Sequence, residues 1–487
     1  MAQLDPEIQH LLRRAGFGAS AADADTFSRM SPSAAIPHLV DYEGRPDDVD
    51  ARIGRPDHAQ VTAKDDVFSP NLDIDHARQR WLFRMVHTRR PLQEKMALFW
   101  HNHFATAYSK LNADSGAMQA AKMMAYTPGP LRGPIGQIEL FRQYALGHFR
   151  DLLVKVAQDA AMLIWLDGKS NTAARPQENF GAEGMELFTI GVGHYTEPDV
   201  YAAARVFTGW NLRESEGHND KDPNAYQAFH YSADDHDTGP KTFSFPIYGD
   251  GTRTIAERGA ASGMQDGIDL ITALASHPET ARRLARKFWS FFVSEVHEPD
   301  PQFIAATASI YLQGNTEIRP VVRYILGSPW FRDPSVRFAR YSWPAEYVAR
   351  AIKEVGWQGF SLDAARAPLA NMGMQLFEPP NVGGWPSGGA WFSTATMLAR
   401  SNFASTLVSS QKAELAAALA AEGQTASGLM AAMLNRVSPA PLDPNPQQVL
   451  ASYLLAGGAW SGSPEQLETR AAGLARLLVG SAEYQLV

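Results

Sequence analysis

Asn179, Glu183 and Glu186 stand at i, i+4, i+7 spacing within Pro176-Gln-Glu-Asn-Phe-Gly-Ala-Glu-Gly-Met-Glu-Leu-Phe188. On an α-helix those offsets fall within an arc of about 60°, so the three acceptors form one stripe. No Lys or Arg lies within the segment to pair with the glutamates. Either the stripe faces water or a cation sits against it. A second constellation is Leu92-Gln-Glu-Lys-Met-Ala-Leu-Phe-Trp-His-Asn-His-Phe104, where Glu94 and His101 are seven apart and share a face. His103 is turned from His101 by about 200°, so the two imidazoles can grip one ion only where the helix ends, near Phe104. Imidazole and carboxylate are ligands that zinc, iron and manganese accept. The expectation is a divalent metal ion of unknown identity held by Glu94, His101, His103, Glu183 and Glu186. The alternative is a buried polar network, with one histidine inside a Trp/Phe-rich core and the other outside.

Three further groups could serve such a centre. His194 follows Gly191 and Gly193, a turn able to fold it back towards the carboxylates, although capping or packing accounts for it equally. His236-Asp237, with Lys241, is a pair that can bind metal or orient a general base, and His230 and Asp234-Asp235 lie close by in sequence. Asn381-Val-Gly-Gly-Trp-Pro-Ser-Gly-Gly-Ala-Trp391 combines four glycines with two tryptophans. Asn381, Trp385 and Trp391 make either an internal brace or a platform for a saccharide or aromatic ligand. Gly-rich phosphate-binding fingerprints and the Gly-x-Ser-x-Gly elbow are absent from the sequence.

The elements that must position these groups read as helices. Apolar positions recur with helical period at Trp81, Leu82, Met85 and Val86, from Gln137 to Trp165, and after Pro198 to Phe207. The same holds from Met264 to Val293, Ala305 to Leu326 and Pro344 to Val355. A helix is expected to open at His10 to Arg14. The run Tyr126-Thr-Pro-Gly-Pro-Leu-Arg-Gly-Pro-Ile-Gly136 must be a loop. Residues 214–256 lose the helical period and form an irregular insert, in which Thr242-Phe-Ser-Phe-Pro246 is the best candidate strand. The expected fold is mainly α: one large helical domain over 1–487, with that insert and a C-terminal helical segment at 411–487.

Composition excludes other classes. The 487 residues carry 44 basic and 52 acidic side chains, a formal charge of −8, with no long basic run, which argues against a nucleic-acid partner. No cysteine is present, so thiol catalysis, cysteine-ligated zinc and disulfides are all excluded. No stretch reaches the roughly 18 apolar residues of a membrane span. The start lacks an apolar leader, which points to the cytoplasm, or to the periplasm if the chain is exported with a partner.

Several segments in series resemble a large bacterial family, catalogued as domain of unknown function 1800. They are His10-Leu-Leu-Arg-Arg-Ala-Gly-Phe-Gly18, Phe99-Trp-His-Asn-His-Phe104, Trp165-Leu-Asp-Gly168, the run Glu178 to Gly193 and Phe207-Thr-Gly-Trp210. His236-Asp-Thr-Gly-Pro-Lys241 and the Pro380 to Trp391 loop complete the set. The resemblance implies one large domain and an often exported or envelope-linked setting, and supplies no mechanism. Family members usually read Asn-Glu-Asn-aromatic-Ala-Arg-Glu-Leu in the acidic helix, where this chain has Gln177, Ala182 and Gly184 in place of the first Asn, the Arg and the Leu. Its stripe is therefore the more negative. Two functions remain open: a metal-dependent enzyme, hydrolytic by default because a bound metal turns water into a nucleophile, with His194 or His236-Asp237 as proton carrier; or a non-catalytic binding or assembly protein with a small-molecule, saccharide or protein partner.

Overall fold

Three helices hold so few exposed side chains that they must form the centre of the molecule. They are Ile74–His87, Pro91–His103 and Pro344–Val355, the last buried at every position. A helix apolar or buried all round is a core helix rather than a surface one. Proline at the first turn starts two of them, where its missing N–H costs nothing. The computed structural model describes residues 1–63, 67–129, 131–217, 219–456 and 458–487. Among these described residues it is 58% helical, with 24 helices and two small two-stranded sheets. The buried apolar cluster runs from Leu4 to Tyr484.

Helix boundaries follow local chemistry. The first helix is Pro6–Arg14, so His10 to Arg14 is its closing half rather than its start; Asp5 caps it by accepting from the Glu7 N–H at 2.7 Å. The Gln137 to Trp165 stretch divides into Gln137–Gln143, Phe149–Ala157 and Ala160–Trp165, the last capped by Asp159. Met264–Ser276 and Pro278–Phe288 are separated at His277, since the residue before proline is pushed out of the helical region.

The insert is more ordered than its composition suggests. Trp210–Glu214 pairs antiparallel with Gln227–Tyr231, and Lys241–Thr242 pairs with Thr254–Ile255. Of the expected strand only Thr242 is paired. The Phe243 N–H still donates to the Arg253 carbonyl at 3.0 Å beyond the ladder, and the Phe243 and Phe245 side chains are buried. No described helix is long and apolar enough to cross a membrane.

Candidate functional site

The five expected metal ligands do not come together. Glu94 is fully buried, and its carboxylate accepts from Arg84 Nε at 2.6 Å and from Arg142 Nε at 2.8 and 3.0 Å. Burial alone would raise its pKa, but the Arg142 and Arg84 guanidiniums overcome that and hold it below the usual range. Glu139, Arg80 and Asp50 extend the same ion network. His101, one helical face on, packs edge-on against Trp81 at 5.4 Å and Trp385 at 5.2 Å, and its Nε2 has no partner among the described residues. Burial pushes its pKa down to about 3, so it is a neutral ring in an aromatic box. The Pro91–His103 helix does end at His103. Both imidazoles lie inside, however, and they point to different neighbours.

The acidic stripe is bent out of register. The segment is α-helical only over Asn179–Glu183 and becomes a π-helix over Gly184–Phe188, so the seven-residue offset no longer keeps Glu186 in line. Asn179 donates to Asp167 at 3.0 Å. Glu183 is half-buried, and burial followed by the Glu186 charge raises its pKa. Glu186 accepts from Tyr195 Oη at 2.6 Å, so the turn at Gly191 and Gly193 folds back the residue after His194. Arg283 donates to the Leu187 carbonyl, near enough for the Glu186 charge to favour its protonated form without forming an ion pair among the described residues. His194 itself is exposed, with Nε2 3.7 Å from Glu279 Oε2.

His236 and Asp237 face opposite ways. His236 Nδ1 lies 2.8 Å from the Thr208 carbonyl and Nε2 3.3 Å from Asp266, which also accepts from Lys241 at 2.6 Å and Arg258 at 2.7 Å. Asp237 accepts both Arg205 Nε and Nη2, at 2.7 and 2.9 Å. Both side chains thus tie the insert to its supporting helices. Among the described residues no three His, Asp or Glu side chains are grouped so as to hold a metal ion.

What His103 does instead defines a site. Its Nε2 lies 3.0 Å from the Phe188 carbonyl, which can only accept, so Nε2 carries the ring proton. Nδ1 is then a lone pair, and it accepts from Lys287 Nζ at 2.9 Å. Burial, and then the charge of Arg283, lowers the Lys287 pKa to about 7. His103 is held well below 6.5 by burial and by Lys287 and Arg283, against the Phe188 bond. The pair therefore presents a neutral imidazole and an amine that is partly neutral near pH 7.

This pair opens into a cleft of about 290 Å³, at the small end of ligand sites, which run on the order of 300–1,000 Å³. Its walls are Phe99, Phe291, Trp343 and Trp385. Phe99 stacks on Phe288 at 4.8 Å, and two of the walls, Phe291 and Trp343, pack on each other at 5.6 Å. Two π-helical turns flank the pair: Gly184–Phe188 supplies the carbonyl to His103, and Trp289–Val293 supplies Ser290 and Phe291 to the cleft. Such turns are rare and concentrate at functional sites.

The Trp/Gly loop closes one side. Asn102 Oδ1 accepts from the Trp385 N–H at 2.7 Å, and Glu295 accepts from the Gly388 N–H at 3.1 Å. Of the expected platform residues only Trp385 reaches the cleft. Asn381 turns its side chain onto the Gly383 N–H at 2.8 Å, and Trp391 is buried against Trp343 at 6.1 Å, so these two brace the loop.

The model of the family described as "Protein of unknown function (DUF1800)" matches residues 10–486. The chain belongs to the DUF1800 family. No curated protein and no solved structure matches it. In this DUF1800 chain the sequence segments singled out for resemblance, Phe99 to Phe104, Glu178 to Gly193 and the Pro380 to Trp391 loop, contribute His103, Phe188 and Trp385 to one place.

Lys287, Arg286, Ser290, Glu295 and Asn102 were not legible as a group. The available signal was an amine set immediately before Phe288-Trp-Ser-Phe-Phe292, since a lysine in an aromatic run is poorly hydrated and open to a pKa shift. A larger cavity, about 460 Å³, lies between the Ala117–Ala125 helix and the Gln227–Tyr231 strand of the same DUF1800 chain. Its Lys122 donates to the Arg132, Pro223 and Ala225 carbonyls, and burial pushes Asp159 up to about 7. Among the described residues no second titratable group is hydrogen-bonded to Asp159, in contrast to the paired groups of the His103–Lys287 cleft.

Proposed function

We propose that the chain binds a small acidic organic molecule in the cleft between Trp343 and Trp385, with Lys287 and His103 as its proton-transfer or nucleophilic pair. The observation that carries this reading is the Lys287 Nζ to His103 Nδ1 contact of 2.9 Å inside an aromatic-walled cleft. An amine with a pKa near the working pH divides its population between base and acid, which is the condition for efficient proton transfer. One of its N–H groups is spent on His103, which fixes its direction. Arg286, at the cleft and without a hydrogen bond or ion pair to a described residue, supplies a positive charge for a carboxylate. The small volume limits the ligand to a few heavy atoms beside the aromatic faces.

Metal-dependent hydrolysis at Glu94, His101, His103, Glu183 and Glu186 draws no support from the placement of those groups. A non-catalytic binding protein remains the second reading. It is favoured by the use of Glu94, His236 and Asp237 in buried ion and hydrogen-bond networks.

The test is thermal unfolding in the presence of small carboxylic acids of up to about six heavy atoms. A ligand that binds only the native state raises the midpoint as its concentration passes Kd. The reading expects such a rise for wild-type protein, and its loss in Lys287→Met and Trp385→Ala with helical content intact. A rise that survives both substitutions would place binding elsewhere.

A further inference from the structure

We propose that Lys287 is a carbonyl-trapping lysine, forming an imine with a small 2-oxo acid whose carboxylate pairs with Arg286; this rests on the reading of the cleft as a small-molecule site. The geometry supplies each part. The amine stands within the cleft, with His103 Nδ1 at 2.9 Å as its only polar partner among the described residues. A neutral amine donating one N–H to His103 keeps its lone pair for the cleft. Arg286 precedes it on the Pro278–Phe288 helix and also lines the cleft, as does the Ser290 hydroxyl, and neither side chain is engaged by a described residue. The one carboxylate lining the cleft, Glu295, is occupied: it accepts from the N–H groups of Tyr341 and Gly388 and from the Trp343 indole. It therefore fixes the walls and does not compete for Arg286. Phe99, Phe291, Trp343 and Trp385 line the same cleft as the amine, and an apolar lining favours the neutral, nucleophilic form of a lysine.

The step balances without an oxidant or reductant. The Nζ lone pair attacks the carbonyl carbon; a C–N bond forms and the C=O π pair moves to oxygen. Nitrogen gives up a proton, by way of His103 Nδ1, and the oxygen gains one, leaving a neutral carbinolamine. The C–O bond then breaks as the hydroxyl takes a proton from solvent and leaves as water, while the nitrogen lone pair forms C=N; the resulting iminium returns its remaining N–H proton to solvent, by way of His103 Nδ1, and becomes the neutral imine. Amine plus ketone gives imine plus water. His103 is suited to hand the proton on, because its buried surroundings disfavour the imidazolium.

The experiment uses full-length protein with pyruvate and sodium borohydride at pH 7, and with propanal as a neutral carbonyl, followed by intact-mass and peptide mapping. With its pKa lowered to about 7 by burial and the Arg283 charge, the Lys287 amine is neutral at pH 7 far more often than an ordinary lysine, for which the neutral fraction is on the order of one in 10³. Reduction is expected to fix both probes on Lys287 at least tenfold faster than on any other lysine. Lys287→Arg should abolish that adduct while preserving the circular dichroism spectrum. Arg286→Ala should slow trapping of pyruvate about tenfold and leave propanal trapping unchanged, a split that general loss of structure would not give. Adducts spread over surface lysines, or the same yield in Lys287→Arg, would overturn the proposal. Absence of trapping with an amine that titrates near pH 7 would sink the imine alone, whereas an amine that titrates like an ordinary lysine would remove both the imine and the reading beneath it.

Discussion

At the scale of single residues, the same side-chain types that compose a metal centre compose buried salt bridges, and only their partners separate the two. Glu94 looked like a ligand because Arg84 and Arg142, ten and 48 positions away, are invisible to helical spacing. The network makes a firm prediction. Glu94→Gln leaves two buried guanidiniums short of a counter-charge and should lower stability by about 3–5 kcal/mol, as removal of one partner of a buried pair does. Urea unfolding measures it, and a variant within experimental error of wild type would remove the network from its structural role. His101 gives a pH signature. Its pKa in the folded chain, about 3, lies below the 6.5 it has when unfolded, so protons bind the unfolded chain first as pH falls. Its contribution is complete above about pH 6.5 and declines towards pH 3, with a slope of up to about 1.4 kcal/mol per pH unit. His101→Phe keeps the ring among Trp81, Phe377 and Trp385 and removes the proton site. Acid unfolding of that variant should begin at lower pH than wild type; an unchanged profile would mean that the imidazole is not held neutral.

At the scale of elements, the boundaries that chemistry marks were legible and the distortions were not. Pro344 to Val355 was read with the bounds observed, because proline starts the helix and Gly356 at positive φ ends it. The HxH helix does end at His103, although no Gly or Pro in the sequence marks that end. The π-helical turns were not legible: Gly184–Phe188 and Trp289–Val293 keep helical periodicity in sequence while adding one residue per turn in space. That extra residue turned the carboxylate stripe and brought Phe188 to His103. Likewise the Gln227–Tyr231 strand was missed, as its pairing with Trp210–Glu214 spans a polar stretch without periodicity. The Trp385 loop is held by a close approach that only glycine permits. Gly384 has φ +90°, and a Cβ there would lie 2.3 Å from Asn102 Oδ1. Gly384→Ala should break the Asn102 to Trp385 bond, cost on the order of 2–3 kcal/mol, and weaken ligand binding in the cleft while distant helices stay folded. Thermal unfolding and ligand titration together check this, and wild-type values for both would show the loop to be independent of the cleft.

For the whole molecule, the mainly helical architecture was legible from period and composition, whereas the meeting of the HxH helix, the acidic segment and the Trp/Gly loop at Lys287 is a property of the assembled core. Elemental analysis of purified protein, before and after chelation, distinguishes the two chemistries. Less than stoichiometric metal and an unchanged melting temperature are expected, since three of the five candidate ligands, Glu94, Glu186 and His103, are engaged by arginines, a tyrosine, a backbone carbonyl and Lys287. One tightly bound metal per chain, lost together with stability on chelation, would reinstate the metal centre. The most direct test of the central claim is the titration of Lys287 itself, by acylating the native protein across pH 5 to 11 and quantifying modification of each lysine by mass spectrometry. Surface lysines serve as internal standards with midpoints of about 10.4. The account predicts that Lys287 reacts with a midpoint at about pH 7, whereas a midpoint coinciding with that of the surface lysines would contradict it.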